Sequence, residues 1–116
     1  MKTSVRARAL IQSGRMMLVH VPGHGEPRLF GGKVKKSETT ADTIVRELKE
    51  ELGVDVRVDG IAFMDEHIVR RKRHSRRVIN IVYNVTLLSP PVPAPGFKPN
   101  WVPIPETWPV AIPATN

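Results

Sequence analysis

Residues Gly31 to Val54 read GGKVKKSETTADTIVRELKEELGV, and this stretch decides the fold. Its second half has helical spacing. Ala41, Ile44, Val45, Leu48 and Leu52 form one apolar stripe. Glu47, Glu50 and Glu51 stand at i, i+3 and i+4, which brings their carboxylates together on a neighbouring face. Ser37 or Thr39 serves as N-cap, and Thr39 with Asp42 has capping-box spacing. Gly53 follows the last apolar residue, where a left-handed terminating residue is expected. Gly31-Gly32, ahead of the helix, permits tight backbone geometry and close approach to a ligand.

The acidic face carries a cost. Each of the pairs Glu47–Glu50 and Glu47–Glu51 disfavours an isolated helix by about 0.2–0.5 kcal/mol. A hard divalent cation would convert that repulsion into coordination, since Mg²⁺ selects carboxylate and carbonyl oxygens. A solvated acidic face eased by Arg46 and Lys49 is the plain alternative.

Spacing decides between the two. Gly32, Glu38, Arg46-Glu47-Leu48, Glu50-Glu51 and Gly53-Val54 resemble the Nudix box at every defined position. Seven fixed residues and two aliphatic positions would match by chance on the order of 10⁻⁸ per chain of this size. The surrounding strand pattern, from near Val5 to about Ile104, also resembles a Nudix domain.

Working outward, Val5, Ala7, Ala9 and Ile11 alternate with Arg6, Arg8 and Leu10, as in a half-buried strand. Met16 to Val21 is a second strand, followed by a loop over residues 22–27. Beyond the helix, strands are expected at Asp55–Val58 and Ile61–Val69, and another along the alternating run Val78–Leu87. Arg70-Arg71-Lys72-Arg73-His74-Ser75-Arg76-Arg77 joins the last two as a long hairpin tip. It holds six of the basic residues in a chain of formal charge +7. Two readings of it stay open: a solvated tip, or a contact for substrate phosphates or RNA. No aromatic residue interleaves its charges for base stacking.

From Ser89 the composition changes. Nine of the 11 prolines lie at or beyond Pro90, which precludes a regular long helix. Trp101-Val102 and Ile104 suit a short edge strand.

The expected architecture is α/β (α+β): a Nudix-like α/β/α sandwich with a mixed β-sheet and the box as loop–helix–loop. Residues 1–104 would be the domain and 105–116 a proline-rich tail. Nudix domains usually end in a helix that covers the second face of the sheet, and here proline stands in its place. The tail, with Trp101 and Trp108, or the second subunit of a homodimer, must then cover that face.

Composition excludes several chemistries. With no cysteine there is no disulfide framework, thiolate nucleophile or Cys-based zinc site. Arginines occupy the N-terminal region where a signal peptide needs an apolar run, and no stretch approaches membrane-spanning length. A soluble, cytoplasmic protein without membrane contact is the expectation.

The resemblance implies a Mg²⁺- or Mn²⁺-dependent pyrophosphohydrolase. It would hydrolyse a nucleoside diphosphate linked to another moiety, such as a modified nucleoside triphosphate, by water attack at phosphorus. Carried onto this sequence, Glu50 and Glu51 are primary metal ligands. Glu47 is a further ligand or the general base, and the Gly31 carbonyl completes the coordination. Glu38 and Arg46 form the structural ion pair of the box. Arg6, Arg8 and Lys33 are candidates for substrate phosphate. The family often takes another acid from the loop before the last strand, but residues 89–100 contain no Asp or Glu. Asp65 and Glu66 are candidate substitutes. The lead-in Phe30-Gly31-Gly32-Lys33-Val34, with Trp101 and Trp108-Pro109, is similar to the oxidised-purine nucleoside triphosphatase branch. Two alternatives stand beside this reading: hydrolysis of dinucleoside polyphosphates or RNA 5′ ends, and a Nudix-fold module that binds nucleotide or RNA without turnover.

Overall fold

The alternating residues of the N-terminal segment become the central strand of a mixed sheet. In the computed structural model, which describes residues 1–112, β1 (Lys2–Leu10) runs parallel to β6 (Arg76–Leu87) and antiparallel to β4 (Arg28–Lys33). The sheet continues through β3 (Met16–His20) and β2 (Gln12–Ser13) on one side and β5 (Val56–Val69) on the other, in the order β2-β3-β4-β1-β6-β5. β7 (Pro99–Pro103) adds antiparallel to β3. Pro113 and the end of the expected tail lie outside the described residues.

One face of the sheet carries the helix α1 (Thr40–Leu52). Thr39 caps it: its hydroxyl accepts from the Asp42 N–H at 3.0 Å, and its own N–H donates to the Asp42 carboxylate at 3.2 Å. Gly53 ends it with φ 60°. Ile44, Leu48 and Leu52 bury completely against Ala7, Ala9, Phe30 and Val85. Val45 does not join this stripe and is 50% exposed. The helix turns its Thr43–Glu51 flank inward instead, so Glu51 lies one turn from Leu48 on the apolar side.

The loop after β6 closes the helix end. The N–H groups of Val92 and Ala94 donate to the carbonyls of Leu52 and Glu51 at 2.7 and 3.0 Å, satisfying two acceptors that a helix C-terminus leaves open.

The expected strands 55–58 and 61–69 are one strand. β5 stays paired with β6 from Val56 to Val69, with register shifts between Val58 and Ile61 and between Ile61 and Phe63. Gly60, at φ 110°, takes up the irregularity as a bulge rather than a turn.

No second helix lies among the described residues. Leu10, Met17, Val19, Leu29 and Val82 face the other side, where Val102, Ile104, Trp108, Val110 and Ile112 pack on them. Strand parity divides the two tryptophans. Val102 points inward from β7, so Trp101 points out and is 43% exposed. Trp108 alone of the pair is the cover, set edge-on to Phe63 with ring centres 5.2 Å apart. Trp108→Ala is expected to cost about 2 kcal/mol. Urea denaturation of the variant would show it, and an unchanged midpoint would mean the segment does not cover this face.

His20 is a core residue. Its Nδ1 accepts the Lys98 N–H at 3.0 Å, and its ring packs beside Phe30 and Phe97. Burial lowers its pKa, so it is a neutral structural group.

Candidate active site

Two glycines fit β4 between β1 and the helix. At Gly31, φ is 134°, and a Cβ would collide with the Ala7 carbonyl oxygen and lie 2.9 Å from Arg8 Cα. At Gly32 a Cβ would stand 2.5 Å from Glu47 Oε1. Gly31 therefore lets β4 lie close against β1, and Gly32 leaves the Glu47 carboxylate room against the strand.

The Glu38–Arg46 pair exists and is the hub of the loop. Arg46 Nε donates to Glu38 Oε2 at 2.6 Å and Nη2 to Oε1 at 2.9 Å, a bidentate bond. Glu38 Oε1 also accepts from the Lys35 N–H and the Thr43 hydroxyl, both at 3.0 Å. Arg46 Nη1 reaches Glu47 at 3.0 Å and Glu50 at 3.4 Å. Hydrogen bonding from Arg46 holds the Glu38 carboxyl down at about 2. A depressed carboxyl adds stability above its unfolded pKa, near 4.3, and loses it as pH falls through the folded value. Wild-type protein is therefore expected to lose stability between about pH 4.5 and 2 more steeply than Glu38→Gln. Parallel acid-denaturation curves would contradict the pairing.

The three glutamates of the helix are not equivalent. Glu50 is turned to solvent, its side chain 57% exposed. Glu47 is partly covered. Glu51 is only 7% exposed. Its Oε1 accepts the Gly31 N–H at 3.4 Å, while Oε2 is buried with no partner among the described residues. Burial, and then the adjoining Glu47 carboxylate, push the Glu51 carboxyl up to about 8. Among the described residues no three acids or histidines already converge as a metal site. The donor chemistry nevertheless suits a hard cation: an unsatisfied buried carboxylate oxygen next to a second carboxylate is a site short of positive charge.

Arg8 is the register partner of Gly31 and Arg6 that of Lys33. Burial and Arg6 lower the pKa of Arg8, and Glu51 and Glu47 oppose them. Arg8 thus lies within the field of the two carboxylates. It also lines a cavity of about 350 Å³ on the second face of the sheet, together with Arg6 and Arg28. Met17, Val19, Phe63 and Trp108 give that cavity an apolar side. Asp65 and Asn80 add a polar pair, with Asn80 Nδ2 donating to Asp65 Oδ1 at 2.9 Å. Glu66 points to the opposite face, 3.7 Å from Arg77 Nε. Of the two candidate substitute acids, only Asp65 reaches the cavity. Lys33 is exposed and contributes its carbonyl, which accepts from Arg46 Nη2 at 3.4 Å.

The model of the NUDIX domain family matches residues 2–114. The chain belongs to the Nudix family. Solved structures agree on the fold of this Nudix domain. The MutT NUDIX hydrolase from Burkholderia pseudomallei aligns with a TM-score of 0.71 and 21% identity, over 91% of this chain and 89% of that one. The E. coli ORF135 protein aligns with a TM-score of 0.68 and 22% identity, over 87% and 74%. A UDP-X diphosphatase aligns with a TM-score of 0.74 and 16% identity, over 95% of this chain and 57% of that one. No curated protein matches the chain. Among the described residues no helix of this Nudix domain is long and apolar enough to cross a membrane.

Sequence reasoning missed Arg28, Phe63, Asn80 and Trp108 as cavity residues. Arg28, Phe63 and Asn80 come from β4, β5 and β6 and are collected on one face by the strand order and the parity of each strand, while Trp108 is brought there by the segment that follows β7.

Proposed function

We propose that this Nudix domain is a metal-dependent pyrophosphohydrolase acting on a nucleoside diphosphate linked to another moiety, with modified nucleoside triphosphates among the candidates. The observation that carries the reading is Arg8: it pairs across the sheet with Gly31, whose N–H donates to Glu51, and its side chain lines the cavity sized for a nucleoside. The apolar side of the cavity takes the base, and the Asp65–Asn80 pair offers acceptor and donor groups to its edge. Arg6, Arg8 and Arg28 then meet the phosphates as bidentate cations.

Glu51, Glu50 and the Gly31 carbonyl would hold Mg²⁺ or Mn²⁺, with Glu47 as a further ligand or as the group that takes the proton of the attacking water. When bound, the ion supplies charge neutralisation and an activated water. The chain supplies position. Arg46 fixes one Glu47 oxygen at 3.0 Å, and Gly32 leaves the space in which that carboxylate sits. Cleavage breaks the phosphoanhydride bond. The hydroxyl from water ends on the attacked phosphorus, and the other phosphate leaves with the bond pair.

The test is release of phosphate or pyrophosphate from a panel of nucleotides with Mg²⁺, with Mn²⁺ and with chelator. Metal-dependent turnover of one class is expected. Metal binding without turnover of any member would instead support the non-catalytic binding module.

A further inference from the structure

A second cavity, of about 630 Å³, opens at the tip of the β5–β6 hairpin beside the start of β1. Its lining carries Lys2, Arg6, Arg71, Arg73, His74 and Arg76, and no acidic residue. Among the described residues none of its five lysine and arginine side chains makes an ion pair. Arg6 Nε is buried without a hydrogen-bond partner. Like charges held together without counter-charges favour an anion, and one that is itself extended. The two cavities are neighbours: Arg6, Val69 and Val78 line both. Arg8, Arg6 and Lys2 follow one another along one face of β1. Arg6 is about 7 Å and Lys2 about 20 Å from Arg8 at strand spacing. The row thus runs from the first cavity into the basic cleft.

We infer that the moiety beyond the scissile bond is itself a chain of phosphates, seated in this basic cleft. The inference rests on the pyrophosphohydrolase reading and narrows it. A nucleoside diphosphate sugar, with a single phosphate beyond the scissile bond, does not offer enough negative charge to match five uncompensated cations. A polyphosphate chain does, whether it joins two nucleosides or ends an RNA.

Binding is tested first, apart from turnover. Inorganic tripolyphosphate is titrated calorimetrically into wild-type protein and into the triple variant Arg71→Gln, Arg73→Gln, Arg76→Gln. These side chains are exposed, and the variant is expected to melt as wild type does. Its affinity should fall roughly tenfold or more; equal affinities overturn the inference. If the variant does not fold, Arg73→Gln alone and the salt dependence of wild-type binding replace it, and salt-independent binding overturns the inference equally.

Kinetics then name the source. KM should rise in the variant, with kcat kept, for a dinucleoside tetraphosphate or for a 5′-triphosphate RNA, and stay unchanged for a nucleoside diphosphate sugar. An RNA neutralising about five of these charges should lose roughly 100-fold in affinity from about 50 to 200 mM salt, and roughly sevenfold once three are gone. Turnover with identical KM values in both proteins removes the cleft and leaves the hydrolase. Tripolyphosphate binding that depends on the three arginines, without turnover of any substrate, keeps the cleft and removes the hydrolase.

Discussion

Glu51→Gln is expected to abolish hydrolysis and at the same time to stabilise the metal-free protein near neutral pH. Both effects come from one carboxylate that is 7% exposed, with Oε2 unpartnered among the described residues and Glu47 beside it. The carboxyl titrates at about 8 in the folded protein and near 4.3 when unfolded. Between those values the native state holds a proton that the unfolded state has released. Stability therefore falls as pH rises across the window, by at most about 1.4 kcal/mol per unit. At pH 7 the penalty is on the order of 3 kcal/mol. Glutamine keeps the acceptor for the Gly31 N–H and carries no charge, so the variant should be more stable than wild type at pH 8 and similar to it at pH 5. If Glu51 holds the metal as proposed, its loss removes several kcal/mol of charge stabilisation, or about 10³-fold or more in rate. Denaturation in chelator at pH 5, 6.5 and 8 reads the first effect, and turnover in Mg²⁺ the second. A variant that is less stable at pH 8 would mean Glu51 is not held where it is described. An active one would remove it from the chemistry.

Gly31→Ala should have the largest effect on folding. The new Cβ meets backbone of β1 at the Ala7 carbonyl and Arg8 Cα, and backbone in the middle of a sheet cannot swing aside as a long side chain can. The φ of 134° adds its own strain for any L side chain. A loss of about 3 kcal/mol or more is expected, visible as a lower urea midpoint or as lost soluble yield. Gly60→Ala is the control. Gly60 also has positive φ, 110°, but a Cβ there meets nothing within 4 Å, so only the backbone term of about 1–2 kcal/mol remains. If the two variants were equally destabilised, the close approach of β4 to β1 would not be the reason for glycine at position 31.

Local features were legible in the sequence because local chemistry decides them. The Thr39 capping box, the Gly53 stop and the Glu38–Arg46 pair all lie within eight residues of their partners. The alternation of β1 and β6 follows from burial of one face. What escaped depends on which strands are neighbours. Nothing local says that β1 and β6 run parallel, and that pairing sets Arg6 against Asn80 and Arg8 against Val82 across one cavity. Residues 55–58 and 61–69 read as two strands until the length of β6 shows that one strand, β5, runs through Gly60. Trp101 and Trp108 are equivalent by composition, and only the parity of β7 distinguishes them. The helix gave a subtler miss. Its acidic face was visible, but the burial of Glu51 alone followed from the helix turning its Thr43 flank to the sheet and leaving Val45 outside.

The order of the sheet also bears on how the chain acquires its structure. Lys2 pairs with Arg76 and Leu10 with Asn84, and Met16 to His20 pair with residues 99–103. The carboxylate cluster, by contrast, draws on residues 31–51. Loop closure over such separations is slow to be rewarded, so folding is expected to be governed by the docking of β6 and β7 rather than by the helix. During synthesis the acidic helix can form long before β1 finds its parallel neighbour. The central strand waits, with unpaired edge groups, for some 75 residues of following chain. A destabilised variant of this domain is therefore exposed to aggregation through β1 first, even when the substitution lies far from it.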